Sequence, residues 1–159
     1  VRGFAMAAEP GANFDDVRDL RSYGIPVGAG GEVSSQHLTV PMRLKVESFE
    51  GSKEHLRAGL PGGARGDTAL ANLYAEIQLV NQGRPMGLPT RTGYTEFGTQ
   101  CAWGEMVCFA HCRYCDLPRT CEVHVTLAAL DGPRSRVVLG EVSFRLFSKR
   151  GRLKRGRKK

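Results

Sequence analysis

Cys101, Cys108, Cys112, Cys115 and Cys121 fall close together, and His124 follows them. Cys112-x-x-Cys115 followed by Cys121-x-x-His124 has the form of two halves of a zinc knuckle, in which four ligands converge at about 2.0–2.3 Å on one ion. The residues around Cys121 alternate as a strand does. Cys121 and His124 then have opposite parity, face opposite sides, and cannot chelate together. Asp116-Leu117-Pro118-Arg119 fills the spacer with a turn. The thiols therefore read as small core or edge residues, and no cofactor is assigned. A small zinc-binding protein remains an alternative.

The carboxylates give less. A loop calcium site needs several acids converging on one end, whereas Asp67, Asp116 and Asp131 come singly and Asp15-Asp16 lies in a weakly specified N-terminal stretch. No calcium is expected. Asp116 is better placed to cap the Leu117-Pro118 turn by accepting from nearby backbone N–H groups. Glu105, close to Trp103, reads as an acid that pairs with an Arg at a sheet edge, with Trp103 in the core or at an edge. No phosphate-binding glycine loop, Gly-x-Ser-x-Gly elbow or His-Glu-x-x-His is present, so no catalytic residue is assigned.

Charge is the remaining lead. The 159 residues carry a net charge of +7. Eight of the 23 Lys and Arg fall within 149–159, where there is no acid, which leaves 15 against 16 acids and a body near −1. The tail residues Lys149, Arg150, Arg152, Lys154, Arg155, Arg157, Lys158 and Lys159 are candidate contacts to an anionic membrane, each worth about 1 kcal/mol at best. Counterion release would attract nucleic acid in the same way. The tail has no aromatic residue to stack on bases, so no specific nucleic acid is expected.

The elements that must position these groups are strands. Met42, Leu44 and Val46 alternate with Arg43, Lys45 and Glu47, and Pro41 suits the start of that strand. Leu73, Ala75, Ile77 and Leu79 make the next, and Asn81-Gln82-Gly83-Arg84-Pro85 turns out of it. Further strands are expected near 90–94, 106–112, 121–130 and 137–146. Cys121, Val123, Val125 and Leu127 should face the core, with Glu122, His124 and Thr126 outward. Six closely spaced strands without intervening helix predict an all-β antiparallel sandwich. Residues 1–36 read as a flexible segment and linker with a marginal helix over 13–21, 37–148 as the sandwich, and 149–159 as the basic tail. No run of 18 apolar residues spans a membrane. The odd cysteine count points to a reducing, cytoplasmic compartment, and the missing initiator Met suggests a fragment.

Taken in order, several pieces resemble the C2-type domain of phosphatidylinositol 3-kinases, most closely the class III catalytic subunit. They are Arg43-Leu44-Lys45-Val46-x-Ser48-Phe49-Glu50-Gly51, Gly83-Arg84-Pro85, Leu88-Pro89-Thr90-Arg91-Thr92-x-Tyr94, Trp103-x-Glu105 and Asp116-Leu117-Pro118-Arg119. The resemblance spans about Leu38 to Arg155. It departs at Leu130, which replaces an aromatic, and in a shorter loop through Arg134. The family's domain also continues past Arg155-Gly156 to a closing strand, so the resemblance implies that the last strand lies outside this chain and that a sheet edge is exposed.

By resemblance, the parent protein is a lipid kinase and this domain is not its catalyst. The domain would serve complex assembly and membrane association in phosphatidylinositol 3-phosphate production, endosomal trafficking and autophagy. Its implied partners are a protein-kinase-like regulatory subunit and a Beclin-type subunit, with weak peripheral contact to endosomal or autophagic membranes. Leu117, Pro118 and Arg119 are the candidate partner contacts. The alternative of another class is a fragment that binds polyanions or nucleic acid through the tail.

Overall fold

The computed structural model describes residues 2–7, 26, 34–52, 54, 56, 72–130, 136–149, 151, 153 and 157–158. Two antiparallel sheets face each other, as the alternation predicts. One is ordered β10-β1-β2-β7, from Arg157–Lys158, Arg2–Ala7, Pro41–Glu50 and Gln100–Arg113. The other is ordered β4-β3-β8-β9, from Arg84–Pro85, Asn72–Asn81, Cys121–Leu130 and Arg136–Arg145. The short β5 (Thr90–Arg91) and β6 (Thr95–Glu96) also pair with β3, so the chain from 84 to 96 runs back along one edge of β3 in three pieces.

The period-two pattern decides which side chains meet. Cys121, Val123, Val125 and Leu127 are all at most 1% exposed, while Glu122, His124 and Thr126 lie half-buried on the other face. Met42, Leu44, Val46 and Phe49 from β2, and Val107 and Phe109 from β7, close over Leu73, Ala75, Ile77 and Leu79. Burying a side chain of this size stabilises the fold by roughly 1.5–3 kcal/mol, so the alternating strands supply most of what holds the layers together.

Two irregularities aim side chains. The β2–β7 register shifts between Val46 and Ser48, with one extra residue on β7, and Gly104 there has a φ of 63°. A non-glycine residue would be strained in that conformation. Asn81-Gln82-Gly83-Arg84 is a two-residue hairpin whose central residues have φ of 50° and 78°, the combination that matches strand twist.

Two strands lie where the sequence reading assigned none. Arg2–Ala7 pairs antiparallel with β2, and Arg157–Lys158, read as part of the basic tail, pairs with Met6 and Ala7. Strand β7 is also longer than expected, running over 14 residues. The helix expected over 13–21 lies outside the described residues, as does most of the glycine-rich loop after Ser52. Among the described residues β9 pairs only with β8, and Val138 and Val142 on it are 44% and 41% exposed. No helix among them is long and apolar enough to cross a membrane.

Truncating Phe109, fully buried between the layers, tests the packing. Phe109→Ala should lower unfolding free energy by about 3–5 kcal/mol in urea titration, the range for large-to-small changes in a closed core.

Candidate functional site

At one end of the sandwich three turns lock together. Thr120 Oγ1 donates to Asn81 Oδ1 at 2.6 Å, joining the 117–120 turn to the β3–β4 hairpin. Cys121 N donates to Pro118 O at 2.9 Å and Leu146 N to Cys121 O at 3.0 Å, which draws in the end of β9. Beyond it, Gly151 N donates to Ser148 O at 2.9 Å, and Phe147 bridges Leu153. A Cβ placed on Gly151, whose φ is 73°, would sit 3.2 Å from the Arg119 guanidinium carbon. The proposed partner turn and the start of the basic tail are therefore neighbours, which sequence alone did not indicate.

The candidate contacts fare differently from one another. Leu117 is only 7% exposed and belongs to the core, so it cannot serve as a surface contact. Its apolar side chain fills the end of the core below the turn. Pro118 is half-buried and Arg119 exposed. Of the tail cations Lys149 is exposed, while Arg157 and Lys158 form β10. Arg150, Arg152, Lys154, Arg155 and Lys159 lie outside the described residues.

Other readings need correction at particular atoms. Asp116 does not cap the Leu117-Pro118 turn, which backbone bonds close; its Oδ1 faces the Cys115 thiol at 3.6 Å. Glu105 pairs with no Arg among the described residues: its Oε2 accepts from Gly93 N at 2.8 Å. Trp103, packed partly against the core, donates from Nε1 to Gly93 O at 3.1 Å. Two side chains of β7 thus hold both polar groups of one peptide residue. Thr92 beside it bonds to Ala75 twice, N to O at 3.0 Å and Oγ1 from Ala75 N at 2.9 Å. The 92–93 step fastens β3 of one sheet to β7 of the other.

The thiols are set apart by burial. Cys121 is fully buried with Sγ 3.8 Å from Met86 Sδ, while His124 lies on the outer face 3.6 Å from Glu122. The parity argument holds, since these two do not converge. Burial pushes the Cys121 thiol up to about 12, with the Cys112 charge adding to it. Burial also raises Cys101 and Cys112, the latter further through Asp116. No group of three or more His, Cys, Asp or Glu among the described residues could hold a metal ion. Asp67 and Asp131 lie outside those residues.

Charge on the outer face of the β8 sheet is already matched. Glu76 binds Arg91 at 2.8 Å and Arg136 at 3.0 Å, and Glu122 binds Arg145 at 3.2 Å. Arg136 Nε also donates to Tyr74 OH, the chief cause of its raised pKa. Arg84, Arg113, Arg119 and Lys149, by contrast, are exposed and have no ion-pair partner among the described residues. Those four lie towards the locked end.

Two facing antiparallel sheets make an all-β sandwich, and its likeness is to C2 domains. A crystal structure of a RIM C2 domain from Drosophila superposes with a TM-score of 0.51, covering 91% of this chain and 86% of that one at 16% identity, which establishes the fold. The phosphoinositide 3-kinase C2 model matches residues 70–159, more than half of the chain, and the protein belongs to that family. The nodule and root isoforms of phosphatidylinositol 3-kinase from Glycine max are each 28% identical, over 123 and 125 residues that make up 77% of this chain. The chain spans only 15% of the length of those relatives, and what it matches is the C2 domain, so these residues hold no kinase domain.

Thiol chemistry tests the burial pattern. Exposed Cys108 should react with a disulfide reagent within minutes in the native protein, whereas Cys101, Cys112 and Cys121 should react only on unfolding, even at pH 9. Mass mapping of labelled peptides reads the result. A native pKa above the ordinary 9.0 also means that the folded state holds its proton longer, so the Cys121 contribution to stability is complete below pH 9 and is lost between 9 and about 12.

Proposed function

We propose that this domain is the assembly and membrane-association module of a class III-type phosphatidylinositol 3-kinase. In this reading it binds a protein-kinase-like regulatory subunit and a Beclin-type subunit, and brings the catalytic machinery to endosomal or autophagic membranes in the cytoplasm. The observation that carries the reading is the family match over residues 70–159. The geometry supports it: strands and turns hold the side chains, and the 117–120 turn leaves Arg119 and Thr120 exposed beside a half-buried Pro118. Phosphorylation of the 3-position of phosphatidylinositol would belong to other parts of the parent protein.

Protein contact is the part to test first. The tagged chain, co-expressed with both subunits, should retain them through affinity and size-exclusion steps. Pro118→Glu keeps the carbonyl that Cys121 N uses and places a carboxylate on the turn; it should reduce capture about tenfold while the melting temperature stays unchanged. Failure of the unaltered chain to retain either subunit would overturn the assembly reading.

A further inference from the structure

We infer that the locked end of the sandwich is itself an anionic-membrane surface, built by Arg84, Arg119 and Lys149 together. This rests on the membrane-association reading above and goes further by naming the face that meets the lipid. Three chain segments far apart in sequence supply the cations. The β3–β4 hairpin presents Arg84, the turn before β8 presents Arg119, and the turn after β9 presents Lys149.

Hydrogen bonds fix their proximity. The Thr120–Asn81 bond ties the first two segments, and the Arg119 guanidinium lies against Gly151 of the third. Gly151 closes on Ser148 by a backbone bond, so the turn that carries Lys149 is held next to Arg119. The cations are also available. Arg91, Arg136 and Arg145 are engaged by Glu76 and Glu122, whereas Arg84, Arg119 and Lys149 have no ion pair among the described residues. Asp116 is the exposed acid near them.

A bilayer fits this face better than a nucleic acid does. Cations rising from different segments at one end suit a surface of many phosphate or carboxylate headgroups, where each adds to the same attraction. Stacking on bases needs exposed rings. The aromatic residues at this end, Tyr114 and Phe147, are buried, and the exposed Tyr94 precedes β6, which pairs at the opposite end of β3.

Sedimentation of the full chain with vesicles tests this. Vesicles of phosphatidylcholine with 30 mol% phosphatidylserine, at about 0.1 M salt, should bind the unaltered protein, and pure phosphatidylcholine should not. The R84A/R119A/K149A variant, with its tail intact and its melting temperature unchanged, should lose about tenfold or more in partition coefficient. Loss of that size supports the surface. Unaltered binding by the variant, with binding abolished by removal of 149–159, would overturn it and leave membrane association to the tail alone. Absence of binding by the unaltered protein would remove the membrane reading as well. Tighter binding to single-stranded RNA than to the vesicles, weakened by the same substitutions, would assign the surface to nucleic acid and also overturn the proposal.

Discussion

The peptide unit at Gly93 is where two side chains of one layer grip a single backbone residue of the other. His111 of β7 adds a bond to Met86 O at 3.0 Å, and the core between the sheets is apolar, which resists separation but specifies sliding only weakly. At Gly93 a carboxylate and an indole from β7 hold the N–H and the carbonyl of a residue that follows directly from β3's partner strand. Thr92 completes the link by bonding to Ala75 in both directions. A Cβ on Gly93 would come 2.9 Å from Glu105 Oε1, so a side chain there would push the carboxylate out of this position. Hydrogen bonds to charged groups contribute about 1.5–3 kcal/mol each. The larger effect is on register, because one sheet can shift over the other only by breaking both bonds.

That constraint has a consequence at the far end of the strands. With β3 and β7 held in fixed relation, the hairpin after β3 and the turn after β7 must arrive at set positions, and Thr120 can then reach Asn81. Tyr114 adds a second hook there. Its buried hydroxyl donates to Arg43 O at 3.1 Å and accepts from Arg43 N at 3.3 Å, closing the β7 end onto β2. The exposed cations of the end are carried by a framework whose polar groups are already satisfied. Their charge is free to act outward. Cations on the outer face of the β8 sheet are held by Glu76 and Glu122 instead.

Much of this is legible in the sequence. Alternation named the buried face of β8 residue by residue, Pro41 marked the start of β2, and parity separated Cys121 from His124, because a strand has only two faces. The resemblance placed Trp103 and Glu105 in the right order but not their common target, since a backbone group leaves no mark in a sequence. Glu105 was expected to meet an Arg for that reason. Leu117 was misjudged because turn residues are read as exposed, whereas this turn tucks one apolar side chain beneath itself. The strand at Arg2–Ala7 was missed because a short run with little alternation gives no period to detect. The meeting of Arg119 with Gly151 depends on three turns converging, which is a property of tertiary structure alone.

Amide hydrogen exchange at Gly93 and Ala75 tests the fastening most directly. Both N–H groups belong to the link between layers, one outside any regular strand, so both should exchange only through global unfolding, with opening free energies equal to that of Val123 and Val125 in the centre of β8. Exchange of the Gly93 amide at the rate of an exposed loop, while the core of β8 stays protected, would contradict the account.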